Sequence, residues 1–231
     1  MFGIEYLLDT LFPAYCLSCG KRTAVGRRFL CDECRESLPR DLPDIPYYGA
    51  VERLAGIVPF AEYRSDLIYS RFGETRLLLH QIKYHGHPEL AAYLSEEYGR
   101  EHRELGHFAD SSIIIPIPLT PSRLRHRGYN QSEYIAKGLS KALGIPYDTS
   151  ILARKGIEGT QTTRGKESRW TGLEERFYLT SPDKLKDRRV LLVDDLLTSG
   201  STLLHAARTL LSAPDPPESL SFYTLFLNHL D

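Results

Sequence analysis

Val190-Leu191-Leu192-Val193-Asp194-Asp195-Leu196-Leu197-Thr198-Ser199-Gly200-Ser201-Thr202 reads as a buried strand, a pair of acids, a small polar loop and the start of a helix. Four unbroken aliphatics suit a strand covered on both faces, as in a parallel sheet. Asp194 and Asp195 then fall at the carboxyl end of that strand, where open α/β sheets place their ligands. Thr198, Ser199, Gly200, Ser201 and Thr202 add hydroxyls, a glycine that lets backbone approach a ligand, and free N–H groups at a helix start. Those are the parts of a phosphate cradle. Two carboxylates beside it suggest a sugar phosphate, with acids for hydroxyls or for Mg²⁺ and amides for the phosphate. The same letters also fit a core strand and a capped helix with solvated acids, because short motifs match by chance. A Walker-type nucleotide site is rejected. Its nearest glycine-rich partner, Gly159 to Gly165-Lys166, has one residue too many between the glycines and Glu167 where Ser or Thr is required.

The chain has 231 residues, enough for one sizeable α/β domain and a small module. With 42% apolar and 26% charged residues the composition is ordinary, and a net charge of −1 gives no global attraction to nucleic acid or membrane. Basic charge is local instead. Residues 118–130 hold Arg123, Arg125 and Arg127 without an acid, and residues 154–169 hold Arg154, Lys155, Arg164, Lys166 and Arg169 against Glu158 and Glu167. Each patch is +3, which leaves −7 for the remainder. The first twelve residues are apolar but carry Glu5 and Asp9 and no basic start, a poor signal peptide; Ile4, Leu7, Leu8 and Leu11 fit one face of a short helix. No apolar run reaches membrane-spanning length, and the expectation is a cytoplasmic protein without membrane insertion.

All four cysteines lie in Cys16-x-x-Cys19 and Cys31-x-x-Cys34, eleven residues apart. Zn²⁺ wants four thiolates at tetrahedral corners, and each C-x-x-C knuckle supplies two. Disulfides are disfavoured in a cytosolic setting, and a redox C-x-x-C leaves the second pair unexplained. With four protein ligands no position is left for substrate, so the expected zinc is structural. A module this small needs such a staple to fold.

Pro39, Pro43 and Pro46 mark a linker. The expected organisation is an N-terminal helix and zinc ribbon over 1–38, a Pro-rich linker over 39–48 and one domain over 49–231. Ala50 to Tyr63 suits one or two strands. Helices are predicted from Glu74, with Leu77, Leu78 and Ile82 on one face, and from Pro88, with Leu90, Ala91, Leu94 and Tyr98 inward. Ser112 to Pro118 is a second buried strand that Pro116 takes out of the ladder early. A basic loop, Leu119 to Gly128, follows. Asn130-Gln-Ser-Glu133 resembles a capping box opening a helix that Gly144 closes. Residues 155–170 lack apolar periodicity and read as a mobile binding loop. Phe177 to Leu179, Val190 onward and Ser219 to Leu227 complete the strands. Strands alternating with helices predict an α/β fold with a mostly parallel sheet flanked by helices.

Val190 to Thr202 resembles the phosphoribosyl-pyrophosphate (PRPP) motif of type I phosphoribosyltransferases. The whole arrangement is similar to the ComF family of competence-related bacterial proteins. The likeness rests on the four-cysteine ribbon, Lys83-Tyr-His-Gly86, Pro116-Ile-Pro-Leu119, Arg123-Leu-Arg125, Arg127-Gly-Tyr-Asn-Gln131, Gln161 with Arg164 and Arg169, and the PRPP motif. One position departs: Gly172 stands where the family pattern has Asn. The resemblance implies a type I phosphoribosyltransferase-like domain in which Asp194 and Asp195 meet the ribose hydroxyls, directly or through Mg²⁺. Thr198, Ser199, Gly200, Ser201 and Thr202 would hold the 5′-phosphate, and Arg123, Arg125 and Arg127 the pyrophosphate. Arg164 and Arg169 would act from a hood over 155–170.

Two functions are compatible with that likeness. One is a PRPP-binding protein linked to DNA uptake and single-stranded DNA, with a competence helicase or other DNA-uptake protein as partner. The other is a working phosphoribosyltransferase in nucleotide metabolism that transfers the phosphoribosyl group to an unidentified acceptor and releases pyrophosphate. No catalytic residue is assigned from the sequence.

Overall fold

The computed structural model describes residues 12–26, 28–41, 52, 54–156 and 177–228. Four parallel strands make the central sheet: β1 (Glu62–Tyr69), β2 (Ile113–Pro116), β5 (Arg189–Leu197) and β6 (Ser219–Asn228), ordered β1-β6-β5-β2. β3 (Leu152–Arg154) and β4 (Phe177–Leu179) pair antiparallel as a second, small sheet. The aliphatic run explains why β5 is central. Leu191 and Val193 enter a core with helices α2 (Glu74–Tyr84), α3 (Pro88–Glu104) and α5 (Gln131–Leu143), while Val190 and Leu192 enter another with α6 (Ser201–Leu211) and the small sheet. A strand with apolar residues on both faces must be covered on both, which is what a parallel sheet with crossover helices provides.

The helices start where their capping residues dictate. Pro88 occupies the first turn of α3, and Asn130 caps α5 by accepting the Ser132 amide. Gly144 ends α5 in the left-handed region. α3 and α5 lie unusually close, because a Cβ on Gly138 would sit 2.3 Å from the Ala92 carbonyl oxygen. That close approach fixes the height of α5, whose first turn carries a site residue.

The ribbon folds against this body. Gly20 turns the first knuckle with φ +72, and the four sulfurs lie within 4.8 Å of one another. Cys19 and Cys31 are 3.7 Å apart, close to the edge of about 3.8 Å expected for a tetrahedron with Zn–S bonds of about 2.3 Å. The residues fit structural zinc, with Cys34 in the short helix α1 (Asp32–Glu36). Cys16, Leu30, Cys34 and Leu38 join the core under α2 and α3, Arg35 pairs with Glu97, and Arg40 pairs with Glu101 while stacking on Tyr98.

Several expectations change. The predicted linker starts as sheet edge: the Asp41 amide donates to the Asp66 carbonyl and the Ile68 amide to the Pro39 carbonyl, so 39–41 line β1. Residues 42–48 lie outside the described residues, as do the predicted N-terminal helix at 1–11 and residues 157–176, with Gln161, Arg164, Arg169 and Gly172. Instead of strands ending at Tyr63, one strand begins at Glu62. It was hidden by Asp66, a buried acid that accepts from Tyr223 Oη and pairs with His102 at 3.0 Å. Leu77 is exposed and Leu79 buried in its place. Among the described residues no helix is long and apolar enough to cross a membrane.

Candidate functional site

β2 and β5 are neighbours and point the same way, so their chains leave the sheet at one end. β2 ends at Pro116, paired with Val193, and the Ile117 amide makes a last bond to the Val193 carbonyl before the chain leaves the sheet. β5 runs on to Leu197, since β6 continues beside it as far as Leu227. The acids were expected at the end of the strand; Asp194 and Asp195 are instead inside it, with their β2 flank vacated.

Chain arriving from β2 fills that flank. The expected basic loop Leu119 to Gly128 is mostly a helix, α4 (Pro121–Arg127). Thr120 caps it by accepting the Arg123 amide, Pro121 occupies its first turn, and Gly128 ends it at φ 85. Helical spacing separates the three arginines. Arg123 and Arg127, four apart, share a face and line the cavity, whereas Arg125 lies on the opposite side and does not. The expectation that all three arginines face one ligand is therefore corrected. Arg127 is held by Gln131 and lies 5.4 Å from the Tyr84 ring centre.

The cavity measures about 810 Å³ and is bordered by Asp194, Asp195, Thr198 and Thr202 from the β5 side and by Arg123 and Arg127 from the β2 side. Ser199, Gly200 and Ser201 form the turn behind Thr198 and do not line it. Gly200 adopts φ 80, a conformation that favours glycine, and the Ser199 hydroxyl accepts from the Ser201 amide at 3.4 Å. The two acids are satisfied differently. Asp194 Oδ1 accepts from Ser132 Oγ at 3.0 Å and from the Asp195 amide at 2.9 Å. Burial, reinforced by the Asp195 charge, pushes its carboxyl up to about 7. Asp195 Oδ2 instead lies 3.0 Å from the Lys83 ammonium. It receives no hydrogen bond there, although it is buried. An oxygen-only pair with one under-satisfied carboxylate oxygen suits a hard divalent cation such as Mg²⁺.

Lys83, Ser132 and Arg154 are among the lining residues that the sequence did not assign to the site. Lys83 comes from the last turn of α2, Ser132 from the first turn of α5, and buried Arg154 from β3, its guanidinium 5.1 Å from the Phe177 ring centre. Each is far in sequence from the acids: Lys83 belongs to the Lys83-Tyr-His-Gly86 match, Ser132 to the capping-box stretch and Arg154 to a basic patch, none of which ties it to the acids.

Comparisons with known proteins agree with both parts of the chain. A phosphoribosyl transferase domain family matches residues 130–229, and a double zinc ribbon domain family matches residues 7–44. The chain is 27% identical over 218 residues to DNA utilization protein YhgH of Escherichia coli O157:H7, covering 86% of this chain and 91% of that protein. It is 40% identical over 100 residues to Competence protein F of Haemophilus influenzae, covering 42% of this chain and 43% of that one. It is 34% identical over 113 residues to Competence protein ComFC of Bacillus subtilis, covering 49% and 43%.

Proposed function

We propose that this chain, which belongs to the ComF family, binds PRPP or a related ribose 5-phosphate ligand with Mg²⁺ in the β2/β5 cleft and serves DNA uptake or DNA use. The observation that carries the reading is the meeting of opposite charges in one cavity, Asp194 and Asp195 against Arg123 and Arg127. Asp194 and Asp195 would hold the ribose hydroxyls and Mg²⁺, and the metal would offset the negative charge of a diphosphate. The Thr198 to Thr202 turn, opening α6, would take the 5′-phosphate on backbone N–H groups and hydroxyls. Arg123 and Arg127 would take the diphosphate, and Arg164 and Arg169 are proposed to contribute to the same charge. The domain division at 39–48 and a cytoplasmic location belong to the same proposal.

The DNA part of the proposal draws on the relatives' names and on Arg125. Arg125, off the cavity on an exposed helix without acids, would meet a phosphate backbone while Arg123 and Arg127 would serve the cavity. Single-stranded DNA would add a salt-dependent term, and a competence helicase or other DNA-uptake protein would be the partner.

Calorimetry with PRPP and Mg²⁺ tests the ligand; absence of heat with the wild-type protein defeats it. Titration with single-stranded DNA across salt tests the second part, for which a slope near zero counts against binding.

A second reading, transfer of the phosphoribosyl group to an acceptor, is favoured by cavity size. The volume of about 810 Å³ lies toward the upper end of the roughly 300–1,000 Å³ range of ligand pockets, and an acceptor beside the phosphoribosyl ligand is proposed on that basis. Pyrophosphate release across a panel of bases and amines checks it.

A further inference from the structure

Lys83 stands apart from the other cations of the cleft. Arg123 and Arg127 border the cavity on the side opposite the acids, but Lys83 Nζ lies against Asp195 Oδ2 at 3.0 Å, with side chains only 19% and 7% exposed. The pair is asymmetric. Asp194 is served by two neutral donors, the Ser132 hydroxyl and the Asp195 amide, whereas the facing oxygen of Asp195 has only the ammonium beside it. The base of the lysine is fixed. It sits in the last turn of α2, where the preceding Ile82 carbonyl accepts from Tyr129 Oη at 2.6 Å and the Gln81 carbonyl from the His85 amide. A cation is favoured at a helix carboxyl end. A lysine head on its four-carbon stem can nevertheless swing between partners, as a guanidinium locked in a fork cannot.

We infer that Lys83 is a resident counter-cation that withholds Asp195 from divalent metal until a phosphorylated ligand draws its ammonium away. The inference rests on the proposed binding of a phosphoribosyl diphosphate with Mg²⁺. A metal ion on that side of Asp195 would meet the ammonium's positive charge at close range, so the two compete for the carboxylate. Alone, the metal meets a carboxylate whose charge is already balanced. A ligand with phosphates changes that balance, since the freed ammonium finds a new anion within the same cleft while the metal takes its place on Asp195. Lys83 thus makes metal binding and ligand binding favour one another.

The test uses Mn²⁺ alone, titrated into the full-length zinc-loaded protein at mildly alkaline pH and followed by the electron paramagnetic resonance of the free ion. Lys83→Met should bind Mn²⁺ at least about tenfold more tightly than wild type, and Lys83→Met/Asp195→Asn should lose that gain. PRPP affinity should move the opposite way, weakening about tenfold in Lys83→Met, a sign reversal that a merely structural lysine does not produce. Mn²⁺ affinity in a folded Lys83→Met within about twofold of wild type would overturn the inference. Should that variant not fold, wild type still decides the matter. Saturating Mn²⁺ should raise modification of Lys83 by an amine-reactive reagent several-fold, measured by mass spectrometry, and unchanged modification overturns it. A wild-type protein that ignores PRPP would sink the ligand reading and leave the metal arm intact.

Discussion

The carboxyl ends of β2 and β5 lie side by side and are built in opposite ways. After Pro116 the chain turns outward into α4 and presents cations on a helix capped at both ends. β5 does not turn; it carries its two acids within the strand and releases the chain only after Leu197. The contrast comes from their neighbours. β2 is an edge strand whose last bond to β5 is the Ile117 amide on Val193, while β5 has β6 to pair with beyond that point. The early exit of one strand makes room for α4 beside the acids of the other, so the charge separation across the cleft is a product of unequal strand length.

The sharpest way to break this contrast is to neutralise the β5 side. Asp194→Asn/Asp195→Asn should weaken PRPP–Mg²⁺ binding by more than about 100-fold in calorimetry, since each ionised contact is worth roughly 1.5–3 kcal/mol. On the β2 side, Arg123→Ala and Arg127→Ala should each cost about tenfold in the same assay, and Arg125→Ala less than about twofold. Equal losses at all three arginines would return α4 to the loop first expected.

Fold and site were legible to different depths. The sheet could be read because Val190 to Val193 and Ile113 to Ile115 have no polar residue to disguise them. β1 could not, since Asp66 and Arg64 break its pattern, and the partners that satisfy Asp66 lie 36 and 157 positions away. The PRPP motif marked the acids, but Ser132 and Lys83 reach them, and Arg154 reaches the same cavity, only through the packing of α5, α2 and β3. Thr120-Pro121 is a helix-start signal, a capping threonine followed by a first-turn proline, set directly before the charged run.

Protonation sharpens the comparison from another direction. Asp194 titrates near 3.8 as a free carboxyl and is pushed up to about 7 in the folded chain, so the folded state takes up a proton between those values. Its contribution to stability therefore falls as pH rises from about 4 through 7 and levels off above that. Asp194→Asn should remove this fall, melting higher than wild type at about pH 8 and with no such advantage at about pH 4. Ser132→Ala should cost about 1 kcal/mol in denaturant unfolding, the loss of one donor to that carboxylate. A larger loss would mean that α5 itself shifts.

The residues at 39–41 have a consequence for solubility. A strand at the border of a sheet offers unpaired amides and carbonyls to any extended chain that passes, which invites self-association. Here Pro39 and Asp41 already hold part of that border on β1, and they reach it only because the cysteine knuckles are anchored a few residues earlier. The zinc unit therefore acts as a guard for the sheet as well as a staple for itself. A chain trimmed to begin at β1 would keep every residue of the cleft and still be expected to aggregate.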